Sequence, residues 1–190
     1  MLDVGPYRIK FAATAAEIDQ VHALNCETFA GEIPQHEAPA NRRLVDKFHD
    51  KNSYIIALRD ERVVGMVSFH DQAPFSVASR MTDPMILARP NTRPLEVRLL
   101  AVTRDERSSP VFACLAWAVW KYAHDTGYSH LFISGFVDRL ELYERIGFER
   151  IGPPVGPPDA AFVPMCLELA APKIDAARRI RRWERRLLRG

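Results

Sequence analysis

The segment Glu96-Val97-Arg98-Leu99-Leu100-Ala101-Val102 runs directly into Thr103-Arg104-Asp105-Glu106-Arg107-Ser108-Ser109-Pro110 and then into a long apolar stretch. A strand, a polar turn and a helix in that order can hold an anion. The first N–H groups of a helix lack intrahelical partners and point at whatever precedes it. Arg104 and Arg107 would add charge to such a site, and Ser108 and Ser109 would add hydroxyl donors. Pro110 has no N–H to offer, and Phe112 blocks close approach of a phosphate, so the cradle is poorer than a glycine-rich one. Glu96 supplies a carboxylate that can accept a proton, or one that simply pairs with Arg98 or Arg93. Asp46 could grip an ammonium group, or sit as a solvated helix residue. His22, His36, His49 and His70 show no HExxH or similar spacing, so no metal is expected. Cys26, Cys114 and Cys166 are odd in number and lack ligand spacing, which suits buried, reduced thiols. Cys26 and Cys114 have no histidine placed in sequence to activate them, which argues against a thiol nucleophile.

These residues need a scaffold, and the chain encodes one. A length of 190 residues with 47% hydrophobic content is enough for one sizeable core. The expected boundaries are a domain over 1–170 and a basic helix over 171–190. Tyr7 to Ala12 alternates as a strand. Thr14 with Glu17 forms a capping box for a helix through Ile18, Val21, Leu24, Cys26 and Phe29, which gives out at Gly31. A polar loop over Glu32 to Ala40 and a short helix over Asn41 to His49 are expected next. Ser53 to Arg59 and Val63 to His70 read as a hairpin joined by Asp60-Glu61-Arg62. Asp71 to Pro94 reads as a long loop with room for a helical turn, and Glu96 to Val102 as the central strand. A helix follows over Val111 to Asp125, started by Pro110 and ended by Gly127. Leu131 to Gly135 is a buried strand. Asp138 is placed as the cap of a helix through Tyr143 that stops at Gly147. Phe148 to Ile151 and Phe162 to Ala170 are the last strands, separated by the rigid Pro153–Pro158 loop. The order β-α-α-β-β-β-α-β-α-β-β predicts an α/β sheet with helices on both faces.

That order, together with Leu100-Ala101-Val102 before a helix and Leu142-Tyr143-Glu144-Arg145-Ile146-Gly147-Phe148 near the end, resembles the GNAT acyltransferase superfamily over about residues 7 to 170. Ile146-Gly-Phe-Glu-Arg-Ile-Gly-Pro-Pro-Val155 is similar to the closing segment of the acyl-homoserine-lactone synthases and the related N-acyl amino acid synthases. Other features of that branch are only partly kept. Its Arg-x-x-x-Phe helix becomes Asn25-Cys-Glu-Thr-Phe29, its acidic segment becomes Asp46-Lys-Phe-His49, and its strand glutamate is kept as Glu96. The arginine usual three residues later is Leu99, and the nearest one, Arg98, points to the opposite strand face. These departures favour an N-acyl amino acid synthase over a homoserine-lactone synthase.

The resemblance implies a GNAT-like mixed central sheet and an N-acyltransferase that takes an acyl-thioester donor, acyl carrier protein phosphopantetheine or acyl-CoA, and a small-molecule amine acceptor. It implies that Leu100, Ala101, Val102, Arg104, Arg107, Ser108 and Ser109 hold the donor. Glu96 would be the base, through a water, and Tyr143 would protonate the leaving thiolate; the competing reading makes Tyr143 a core aromatic. A carrier-protein donor has one phosphate and no adenosine diphosphate, which fits Pro110 in the turn. The alternatives are an ordinary acetyl-CoA-dependent N-acetyltransferase and a catalytically idle GNAT-like binding module. Seven arginines between Arg178 and Arg189, against a single Glu184, form a basic amphipathic tail. It could fold back on the domain, touch an anionic membrane surface or acidic partner, or, as the last choice, meet nucleic acid. The chain has no apolar signal core and no window near the ~18 apolar residues of a span, so a cytoplasmic protein is expected.

Overall fold

In the computed structural model, residues 2–32, 37, 39–157, 160–169 and 181–185 are described. The strands are β1 (Leu2–Val4), β2 (Tyr7–Phe11), β3 (Ser53–Arg59), β4 (Arg62–His70), β5 (Pro94–Val102), β6 (His130–Phe136), β7 (Glu149–Arg150) and β8 (Phe162–Glu168). The helices are α1 (Ala15–Cys26), α2 (Val111–Thr126) and α3 (Leu140–Ile146). The sheet is mixed, in the order β1-β2-β3-β4-β5-β6-β8-β7. β5 and β6 run parallel, while β1–β2, β2–β3, β3–β4, β6–β8 and β7–β8 pair antiparallel. This is the expected α/β class. The chain divides into two compact units, Met1–Phe69 with Leu99–Val119 and His70–Arg98 with Trp120–Arg185.

In the first unit, local signals set the elements. Thr14 Oγ1 accepts from Glu17 N at 3.2 Å, and Glu17 Oε2 accepts from Thr14 N at 3.1 Å, closing the capping box. α1 runs on into a π-helical turn over Glu27–Glu32, which carries Glu32 to its end. The β3–β4 hairpin turns on Asp60 and Glu61, both at positive φ as a two-residue turn demands. Apolar positions of α1, β3 and β4 (Val21, Leu24, Ile56, Leu58 and Met66) pack with Ala101 of β5 into one core. Gly65 has no room for a side chain, since a Cβ there would come within 2.6 Å of Val111 Cγ1.

Two expectations fail in this unit. The chain opens with an extra strand, β1, because Gly5 at φ +56° turns Leu2–Val4 back onto β2. The helix expected over Asn41–His49 is absent; only His49–Lys51 forms a 3₁₀ turn. The backbone of that segment is used against α1 instead: Leu44 N donates to His22 O at 3.0 Å, and Arg43 forks onto Asp19 at 2.6 and 2.8 Å. Tertiary partners outbid a short helix with little to propagate it.

In the second unit, the long segment after β4 carries two 3₁₀ turns, Ser76–Arg80 and Pro84–Ala88. Val77 is fully buried and packs against Phe132 and Cys166. Asp138 does not cap α3. A 3₁₀ turn over Val137–Arg139 precedes the helix, and Arg139 holds the cap position without a side-chain bond. Gly147 ends α3 at φ +116°, its N–H donating to Tyr143 O and Glu144 O. Of the basic tail, residues 181–185 are helical; Ile174, Ala177, Ile180 and Leu187 lie outside the described residues. Among the described residues no helix is long and apolar enough to cross a membrane.

Candidate active site

Glu96 stands on β5, opposite Phe132 of β6, and is 1% exposed. A bare carboxylate there would be costly, so its partners decide its state. Oε1 accepts from Ser76 Oγ at 2.5 Å and from Val77 N at 2.8 Å. Oε2 accepts from Ser76 N at 2.8 Å, and His70 Nε2 lies 3.1 Å from it. The strand thus caps the first two N–H groups of the 3₁₀ turn with a side chain twenty residues away in sequence. Arg98, two residues along β5 on the same face, stands 3.9 Å from Oε1 and donates to Ser76 Oγ. The His70 ring, buried, stacks on Phe75 at 5.5 Å and 11°. Burial pushes the Glu96 carboxyl up, but the bonds from His70 and Ser76 and the charge of Arg98 outweigh it and hold the group below its ordinary value. Glu96 is therefore an ionised, fully ligated carboxylate. The pairing with Arg98 considered from the sequence is present; Ser76 and Val77 had no sequence signal beyond a proline-bearing loop, and His70 none beyond its place at a strand end.

Tyr143 lies in the same unit, half-buried on α3. Burial pushes its phenol up, against a hydrogen bond from the Phe136 backbone, so it keeps its proton at neutral pH. Gly135 on β6 makes room for the ring: a Cβ there would come within 2.9 Å of both Tyr143 Cδ2 and Met165 Sδ. Cys166, also in this unit, is pushed up to about 12 by burial and is no nucleophile at neutral pH.

The residues assigned to donor binding all lie in the first unit. Leu100 is half-buried, while Ala101 and Val102 are buried at the end of β5. Arg107 Nε donates to Val102 O at 3.3 Å, and its Nη2 reaches Glu32 Oε2 at 2.5 Å. Arg104 Nε holds Glu32 Oε1 at 3.1 Å. The two arginines thus already grip a carboxylate, one on each oxygen. Burial pushes Glu32 up, but Arg107 and Arg104 outweigh it and keep it ionised. Ser108 is exposed. Ser109 is used by the fold: its Oγ donates to Glu106 O at 2.6 Å and accepts from Val111 N at 3.2 Å, capping α2.

Beneath that turn is a group that sequence reasoning passed over. Glu106, 4% exposed, accepts from Tyr7 Oη at 2.5 Å and from Arg59 Nη1 at 2.6 Å. The Tyr7 bond, then Arg59, hold its carboxyl low, and the three residues pin the turn to β2 and β3. Asp46 is likewise drawn into the protein, accepting from Asn52 Nδ2 at 2.7 Å beside a His22–His49–Tyr54 chain. Cys114, buried at the start of α2, is pushed up to about 11.

The family model of the N-acyl amino acid synthase FeeM matches residues 29–169. The structure of BjaI, a CoA-dependent acyl-homoserine lactone synthase with MTA, superposes with a TM-score of 0.75 at 20% identity, covering 94% of this chain and 90% of BjaI. FeeM from uncultured soil microbes gives 0.68 at 19% identity, covering 86% of this chain and 90% of FeeM. A Lactobacillus plantarum protein described as an N-acetyltransferase gives 0.64 at 18%, covering 87% and 99%. At these identities the structures show a shared GNAT-like fold. No curated protein sequence matches the chain.

Proposed function

Because the chain belongs to the FeeM family of N-acyl amino acid synthases, and is a GNAT-type N-acyltransferase, we propose that it moves a long-chain acyl group from acyl carrier protein to the amine of an amino acid. Membership of an acyltransferase family sets aside the idle binding module. The observation that carries the proposal is the buried Glu96 on the central strand, held by Ser76 and Val77 with Arg98 beside it.

In the proposed reaction the acceptor arrives as an ammonium and must lose a proton before its lone pair can attack. Glu96 takes that proton. The C–N bond forms at the thioester carbon, the C–S bond breaks, and Tyr143, with its phenol protonated, donates to the departing thiolate. The amide nitrogen's surplus proton restores Tyr143, and the proton on Glu96 returns to water. Products are an amide, a thiol and one proton, with no covalent acyl-enzyme.

The donor assignment rests on charge. Arg104 and Arg107 carry two positive charges and Glu32 one negative, so the turn offers about one net charge. That suits the single phosphodiester of a phosphopantetheine arm better than the several phosphate charges of coenzyme A. Pro110, which removes an N–H at the start of α2, points the same way. BjaI is CoA-dependent, so an acyl-CoA donor is the competing case. The test is the product mass after incubation with long-chain acyl carrier protein, long-chain acyl-CoA or acetyl-CoA and a mixture of the common amino acids. An acyl amide formed fastest from the carrier protein supports the proposal. Amide from acetyl-CoA alone makes the protein an ordinary acetyltransferase.

A further inference from the structure

We propose that the Ser76 hydroxyl is the group that meets the acceptor amine and passes its proton to Glu96. The inference rests on the acyltransferase reading above and changes how its base works. A carboxylate offers about four lone-pair positions on two oxygens. In Glu96 three are taken by hydrogen bonds, from Ser76 Oγ and Val77 N on Oε1 and from Ser76 N on Oε2, and His70 Nε2, 3.1 Å from Oε2, covers the fourth. No position remains for a water or an amine, and the group is 1% exposed. A proton can therefore arrive only through one of these four groups. Two are backbone amides, which do not relay. His70 has a fully buried side chain. Ser76 Oγ is the remaining one, on a half-buried residue at the start of its 3₁₀ turn.

The hydroxyl is set for the task. It has one proton and two lone pairs. The proton points at Glu96 Oε1, and Arg98 donates to one lone pair. Among the described residues the second lone pair is left for an incoming N–H. As the acceptor ammonium gives its proton to Ser76 Oγ, the Ser76 hydroxyl proton moves to Glu96 Oε1. Ser76 ends unchanged, Glu96 ends as a neutral acid, and the amine ends with a free lone pair. The Arg98 guanidinium steadies negative charge on Oγ while both protons are in flight. His70, its Nε2 3.1 Å from Oε2, is a positioning residue for the carboxylate.

The experiment compares wild type, Ser76→Ala and Ser76→Thr with long-chain acyl carrier protein and the amino acid mixture at pH 7 and pH 9, reading amide by mass and folding by thermal melting. Relay predicts that Ser76→Ala loses about 100-fold in kcat at pH 7. Most of that returns at pH 9, where more amine is already unprotonated, and Ser76→Thr keeps most activity at both. A loss equal at both pH values, or no loss in a folded Ser76→Ala, overturns the relay and leaves acyl transfer standing. No amide from wild type with this donor or with acyl-CoA overturns the acyltransferase reading itself.

Discussion

Glu96 and Glu32 both hold arginines, and they do so in opposite settings. Glu96 is 1% exposed and saturated by donors from a 3₁₀ turn and β4, with Arg98 11% exposed beside it. Glu32 is 14% exposed, and its partners Arg104 and Arg107 are 71% and 45% exposed. The arginine heads reach water while the Glu32 carboxylate is mostly covered, so a phosphate can approach the guanidinium groups from the solvent side with Glu32 still in place. A buried, fully bonded carboxylate cannot be traded, because each donor around it would be left unpaired. On the proposed function the turn is the face open to a ligand and the Glu96 cluster is fixed, with the proposed relay running through the side chain at its edge.

The sharpest way to break that contrast is Glu96→Gln. The amide would aim an NH₂ group at two of the donors around it. A loss of about 1,000-fold in kcat and about 3 kcal/mol in urea-denaturation stability is expected. A variant as stable as wild type would show that the cluster is not fixed. Tyr143→Phe should lose about 100-fold in kcat, and because it removes the hydroxyl that accepts from the Phe136 backbone, about 1 kcal/mol of urea-denaturation stability should go with it. Gly135→Ala would push a Cβ into the Tyr143 ring and Met165; about tenfold in kcat and about 2 kcal/mol of stability are expected to go. In the more exposed turn the effect should reverse in sign. Glu32→Gln frees charge on Arg104 and Arg107, so the KM for the acyl-thioester donor should fall roughly threefold while kcat holds. A rise in KM would mean that Glu32 positions the arginines for the donor instead of competing with it. The smallest effect is acid sensitivity. Glu96 has a lowered folded pKa, so its contribution to stability is complete above the ordinary carboxylate range and is lost as pH falls through the folded value. Urea midpoints from pH 7 down to pH 3 should drop less steeply in Glu96→Gln than in wild type.

Much of the scaffold was legible because its causes are local. Thr14 and Glu17 sit three residues apart and close their own box, Asp60 and Glu61 turn a hairpin between two apolar runs, and Gly147 stops a helix by taking a positive φ. Glu96 and Tyr143 could be picked out because they stand inside segments that resemble a family. Their surroundings could not. Asn41–His49 had enough helical character to suggest a helix, yet its backbone is bonded to α1. Asp138 stood where a cap is expected, one residue before the position that became one. Ser109 was chosen for a ligand and is spent on capping α2.

By itself the sequence determined the α/β class, the capped α1, the β3–β4 hairpin and the central strand with its carboxylate. These follow from hydrophobic period and from bonds between near neighbours. The tertiary structure decided the protonation state and reach of that carboxylate. Ser76 comes to Glu96 across twenty residues, and Tyr7 reaches Glu106 across ninety-nine. Which donors meet a buried charge is settled only when distant segments pack, because burial creates the demand for partners and the fold alone supplies them.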